Sequence, residues 1–150
     1  MILPMGGSSL QEWVNHNYLR KLGIPEYHIY DSDCINSHQQ ECDLVNQRAD
    51  GSSARMTSKR EMENYIHPDA IQAVYGVNFE IDDNTDVPRV ISDYLKSHNL
   101  PGCNQKSVKR KLCEEATQYM TLELLKEWDQ RNELLSWICD ILQLDISSYI

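Results

Sequence analysis

At 150 residues, with 41% hydrophobic and 25% charged side chains, the chain is long enough for one domain with a proper core and too short for two comfortable ones. No apolar run approaches the roughly 18 residues of a membrane span and the start lacks a signal-peptide layout, so a cytoplasmic protein with no membrane partner is expected. A formal net charge of −9 excludes a broad basic face for nucleic acid, but not a compact acidic centre in which divalent cations bridge to phosphate.

Ile2-Leu3-Pro4-Met5 reads as a short buried strand, with Pro4 removing one ladder donor, and Gly6-Gly7 breaks it. Ser8 is placed to cap a helix whose Leu10, Trp13, Val14, Tyr18, Leu19 and Leu22 follow helical spacing, and Gly23 suits its left-handed end. After Ile24-Pro25, the β-favouring run Tyr27-His28-Ile29-Tyr30 stops at Asp31. Strand, glycine turn, helix and strand make a βαβ unit, with parallel strands and a right-handed crossover. Residues 34–56 are polar and without periodicity, and read as a long functional or mobile loop.

Ser58-Lys59-Arg60-Glu61 has the form of a capping box that opens a helix over 58–66. Pro68 begins the next helix, which runs to about Tyr75 and closes at Gly76. A helix over 87–98 follows Asp86 and is punctuated by Pro101-Gly102. Ser107 is placed to cap a helix over 108–120 and Thr121 to start another, while Leu134, Leu135, Ile138, Ile141 and Leu142 draw an apolar stripe on the last. The expected class is α/β: a small parallel sheet flanked by helices over residues 1–80, with a helical extension over 81–150 packed on the same domain.

Three features bear chemistry. Asp31 and Asp33 stand at the carboxyl end of a strand, where parallel sheets bind ligands, and an extended Asp-x-Asp presents both carboxylates to one side for a hard cation such as Mg²⁺. The plainer alternative is that Asp and Ser merely terminate the strand. In "TSKREMENYI", Glu61 either completes the capping box or joins the cation site, and Glu63 either pairs with Lys59 or does the same, leaving Lys59 or Arg60 for phosphate. Lys106, Lys109, Arg110 and Lys111 form the only strongly positive patch: a solvated helical face, or a source of charge for a phosphorane. The five cysteines form no CxxC and suit a reducing compartment; Cys34, His38 and Cys42 have even spacing but no evident fourth zinc ligand, and read as ordinary side chains otherwise.

Taken together, "ILPMGGSS", "YHIYDSDC" and "SKREMENYI", in this order and at these intervals, resemble the Toprim nuclease domain. The likeness is strongest to the C-terminal half of OLD-type ATP-dependent endonucleases and related AAA-ATPase defence proteins, and spans residues 2–75, with a looser fit to the helical tail. The resemblance implies a Rossmann-like Toprim fold and a phosphodiester hydrolase that cuts DNA with Mg²⁺ or Mn²⁺, in defence against phage. It implies Asp31 and Asp33 as metal ligands, Glu61 and Glu63 in the segment supporting a second cation, and Lys109 or Lys111 as the catalytic lysine.

The family's first strand, with its metal-binding glutamate and following glycine, has no counterpart, and no GxxxxGK[ST] phosphate loop occurs. The chain is therefore expected to be a fragment, or a piece completed by an ATPase domain or subunit. The alternative is a catalytically inactive Toprim-like module that binds a partner ATPase or a second copy of itself.

Overall fold

Seven helices and a two-stranded parallel sheet make up the described residues, 7–32 and 38–144, of the computed structural model, so the class is α/β and mostly helical. The strand expected at 2–5 and the acidic Asp33 lie outside the described residues. The chain forms two compact units, Met1–Thr57 and Ser58–Ile150.

In the first unit, helix α1 (Gly7–His16) is followed by a 3-10 turn at Arg20–Leu22, strand β1 (Tyr27–Tyr30), helix α2 (Gln39–Asn46) and strand β2 (Ser53–Met56). The single helix expected to reach Leu22 is split, because Asn17 takes a left-handed backbone with φ +41, a conformation asparagine tolerates better than most residues. β1 and β2 pair in parallel from Tyr27↔Ser53 to Tyr30↔Met56, with α2 as the crossover between them. The polar stretch expected to be a loop thus holds a helix and a strand. α2 packs on both strands and on α1 while burying only Cys42 and Val45, which join Val14, Tyr30 and Ala54 in a small core. Asn46 does what a further strand would do for β2: its Oδ1 accepts from Ala54 N (2.8 Å) and its Nδ2 donates to Ala54 O (3.2 Å).

The second unit runs through a 3-10 turn at Met62–Tyr65 and helices α3 (Pro68–Tyr75), α4 (Val87–Ser97) and α5 (Gln105–Glu114), then a 3-10 turn at Ala116–Tyr119, α6 (Leu122–Trp128) and α7 (Glu133–Leu142). α3 and α4 begin and end close to where their prolines, Asp86 and Gly76 place them; Gly76 is left-handed at φ +70 and its N–H bonds Gln72 O. The helix expected over 58–66 is only the one tight turn. Ser58 is engaged elsewhere, donating its hydroxyl to Glu133 Oε2 at 2.5 Å, and Glu61 takes the N-cap position instead. Likewise the helix expected to start at Ser107 begins at Gln105, because Asn104 Oδ1 accepts from Ser107 N (2.9 Å); it ends at Glu114 rather than reaching 120. Ile71, Val87, Ile91, Val108, Leu112 and Ala116 form the centre of this unit's core. No helix among the described residues is long and apolar enough to cross a membrane.

Candidate functional site

The parallel pair fixes the setting of Asp31. Thr57 N donates to Tyr30 O (2.9 Å), and beyond it Ser32 N donates to Thr57 Oγ1 (2.9 Å) while the Ser32 hydroxyl donates to Thr57 O. Both strands therefore end together, and Asp31 stands half-buried at their shared carboxyl edge, the side on which parallel sheets receive ligands. Asp33, the other half of the Asp-x-Asp, is outside the described residues, as is Cys34. Of the remaining zinc candidates, His38 stacks on the Tyr30 ring with centroids 5.7 Å apart and Cys42 is a buried free thiol.

In the second unit, the residues of "REMENYI" after the arginine divide between anchoring and the charged cluster, with Met62 exposed. Asn64, fully buried, accepts from Glu61 N through Oδ1 (3.2 Å) and donates through Nδ2 to Asp82 O (2.8 Å) and Thr85 O (2.9 Å), stapling the tight turn to the 82–85 loop. Tyr65 donates its hydroxyl to Glu133 Oε2, and Ile66 enters the core. Anchored in this way, Glu61 and Glu63 meet Lys109 of α5, which is turned toward them because its neighbours Val108 and Leu112 bury in the core. Lys109 Nζ donates to Glu61 Oε2 at 2.7 Å and lies 3.4 Å from Glu63 Oε1.

The three groups differ in exposure: the Glu61 side chain is 10% exposed, Glu63 15% and Lys109 45%. Glu61 Oε1 is buried and has no hydrogen-bond partner among the described residues. Burial pushes the Glu61 carboxyl above its ordinary 4.5, against the pull of Lys109. For Lys109 burial acts downward, but the two carboxylates together more than offset it and raise the ammonium above 10.5. An acidic pair with one buried, unbonded oxygen and a half-exposed cation is what these residues provide.

The structure thus brings together Glu61, Glu63 and Lys109, and does not bring Lys111 to them. Lys111 Nζ sits 4.9 Å over the Tyr75 ring and 3.9 Å from Glu115 Oε2. Lys59 and Arg60, the other phosphate candidates, carry pairs of their own, Lys59 with Asp83 (2.8 Å) and Arg60 with Asp86 (3.4 Å). Among the described residues, no group of three or more His, Cys, Asp and Glu side chains is placed to hold a metal ion.

One buried polar network had no motif to announce it. Glu26 Oε2 accepts from Arg48 Nη1 (2.8 Å) and lies 2.7 Å from His28 Nε2, while His28 Nδ1 is 3.0 Å from the Tyr30 hydroxyl and Arg48 Nη2 donates to Val14 O (2.7 Å). Burial alone would raise the Glu26 carboxyl, but Arg48 and His28 together hold it below its ordinary 4.5. With Tyr30 only 3% exposed, this chain of groups braces the start of the sheet.

Comparison with protein-family models, curated proteins and solved structures returned no match to this chain.

Proposed function

We propose that the chain carries metal-binding and charge-stabilising groups of a Toprim-like phosphodiester hydrolase acting on DNA, as a part of an OLD-type ATP-dependent endonuclease. The observation that carries this is the buried, unbonded Glu61 Oε1 beside Glu63, with Lys109 bridging the two carboxylates. Mg²⁺ keeps much of its water and is commonly held by only one or two carboxylates together with substrate phosphate, so this donor set fits a hard divalent cation. Glu61 and Glu63 would hold it, and Mg²⁺ or Mn²⁺ would supply Lewis-acid stabilisation of the phosphoryl oxygens and a more acidic water. Lys109, nearly half exposed, has the freedom to leave the carboxylates and neutralise phosphate charge. The Toprim resemblance gives Asp31 and Asp33 the role of metal ligands as well, and Asp31→Ala tests the acidic turn on its own.

The same lysine favours a second reading. Its ammonium already compensates both glutamates, as it would in a Toprim-like module that has given up catalysis and binds a partner ATPase or a second copy.

Mn²⁺ titration followed by thermal unfolding, together with nicking of supercoiled plasmid, separates the two. For the hydrolase, Mn²⁺ raises the melting temperature of the wild type, Glu61→Gln abolishes the rise, and Lys109→Met binds Mn²⁺ several-fold more tightly, since a competing cation is gone, yet cuts less. Adding the partner ATPase segment is expected to raise cutting. An unchanged Mn²⁺ response in both variants overturns the hydrolase; a wild type that neither takes up Mn²⁺ nor cuts, with or without that segment, leaves the binding module.

A further inference from the structure

We infer that a pocket on the second unit, lined by Lys59, Asp83, Trp128, Asp129, Gln130 and Arg131, receives one nucleotide of a nucleic-acid strand, with the base against the Trp128 indole and the phosphate on Arg131. The inference rests on the hydrolase reading for its substrate class and adds a place where the strand is gripped away from the carboxylates.

Size sets the first limit. The pocket encloses about 260 Å³, just under the 300–1,000 Å³ typical of sites that bury a drug-sized ligand. One base fits inside, with its phosphate at the exposed Arg131; a folded oligomer does not fit.

Its wall is rigid. The Trp128 indole N–H donates to Asn64 O (2.7 Å), the His67 ring meets it edge-on at 5.5 Å, and the Lys59 ammonium lies 4.6 Å from its centroid. Lys59 is itself 5% exposed and fixed, donating to Trp128 O (3.0 Å) and pairing with Asp83 (2.8 Å). Lys59 covers one face of the indole, so a base would stack on the other face of a ring already held in place.

Charge points the same way. Four ionised groups line the pocket and formally cancel, yet their availability differs. Asp83 is paired with Lys59, and Asp129, 2% exposed, accepts from Leu134 N (2.9 Å) at the start of α7. Arg131 is exposed and makes no ion pair among the described residues, and the Gln130 amide beside it has no hydrogen-bond partner among them. The uncommitted groups are thus a guanidinium, suited to phosphate, and an amide, suited to a base edge, flanking an aromatic wall.

The test is fluorescence anisotropy of a labelled single-stranded DNA of about 12 nucleotides, titrated with the full chain in chelator across a range of salt. The expected result is about a tenfold loss of affinity in Arg131→Ala, with the salt slope reduced by about one; a smaller loss in Gln130→Ala; and an intact Mn²⁺ response in both, since neither touches Glu61 or Glu63. An abasic strand should bind less well than the normal one. A wild type that binds DNA while both variants bind equally well, or that binds the abasic strand just as tightly, overturns the pocket and leaves the hydrolase standing. Failure of the wild type to bind DNA at all overturns the pocket too, and the Mn²⁺ and nicking measurements then decide the hydrolase by themselves.

Discussion

Arg48 is where the sequence placed a positive charge inside a polar stretch and the fold turned it into a brace. One guanidinium nitrogen donates to Glu26 Oε2, on a side chain 5% exposed whose Oε1 has no partner among the described residues, and the other reaches Val14 O on α1, so a single side chain ties the residue before β1 to the first helix. Removing one partner of a buried pair leaves the other charge stranded, which costs more than the pair contributes. Arg48→Met should therefore lower the unfolding free energy by about 3 kcal/mol at neutral pH, the low end of the usual range because His28 still faces Glu26. The pH dependence has a definite sign. Glu26 is lowered on folding, so its stabilisation is present above its unfolded value of 4.5 and lost as pH falls through the folded one. The gap between wild type and Arg48→Met, measured by urea denaturation at a series of pH values, should narrow in acid; a gap that is constant or widens below pH 4.5 would mean that the Glu26 pair is not what the mutation removes.

Among the elements, those bounded by residues with a stereochemical reason were legible and those defined by packing alone were not. Pro68 and Gly76 mark α3 because one lacks an N–H that the first turn does not need and the other accepts a left-handed backbone without penalty. α2 and β2 carry no such markers. α2 shows only Cys42 and Val45 to the core among eight residues, too few anchors for a periodic pattern, and β2 is four residues long with only Ala54 fully inside. What makes β2 a strand is its neighbours: β1 on one side and the Asn46 side chain on the other. Asn46→Ala should then leave the Ala54 N–H and C=O without partners, and cost about 1–2 kcal/mol. Amide exchange at Ala54 is the direct readout. Exchange no faster in the variant would show that water or another group serves this edge equally well.

Among the described residues the two units have cores of unequal size, and this bears on what each unit can do alone. The grouping that makes the candidate site was legible only in part. Glu61, Glu63 and Lys109 were all named from "REMENYI" and from the basic cluster, although 48 positions separate Glu61 from Lys109. Lys111 was indistinguishable from Lys109 until the core-facing side of α5 was known, and Trp128, Gln130 and Arg131 lie in a stretch with no motif, so only the pocket reveals them. Among its described residues the first unit buries Val14, Tyr30, Cys42, Val45 and Ala54 around two short strands, and chains of about 60 residues with a small core are marginal. The second encloses Ile66, Ala70, Ile71, Phe79, Val87, Ile91, Leu95, Val108, Leu112 and Ala116, twice as many buried residues among those described, all supplied by its own segments. Residues 58–150 expressed alone should therefore give a helical circular dichroism spectrum and a single cooperative urea transition, and should keep the Glu61–Lys109 pair, while residues 1–57 alone should remain largely unfolded. A non-cooperative melt of 58–150, or a stable fold for 1–57, would show that the burial seen in each unit is not what holds it together.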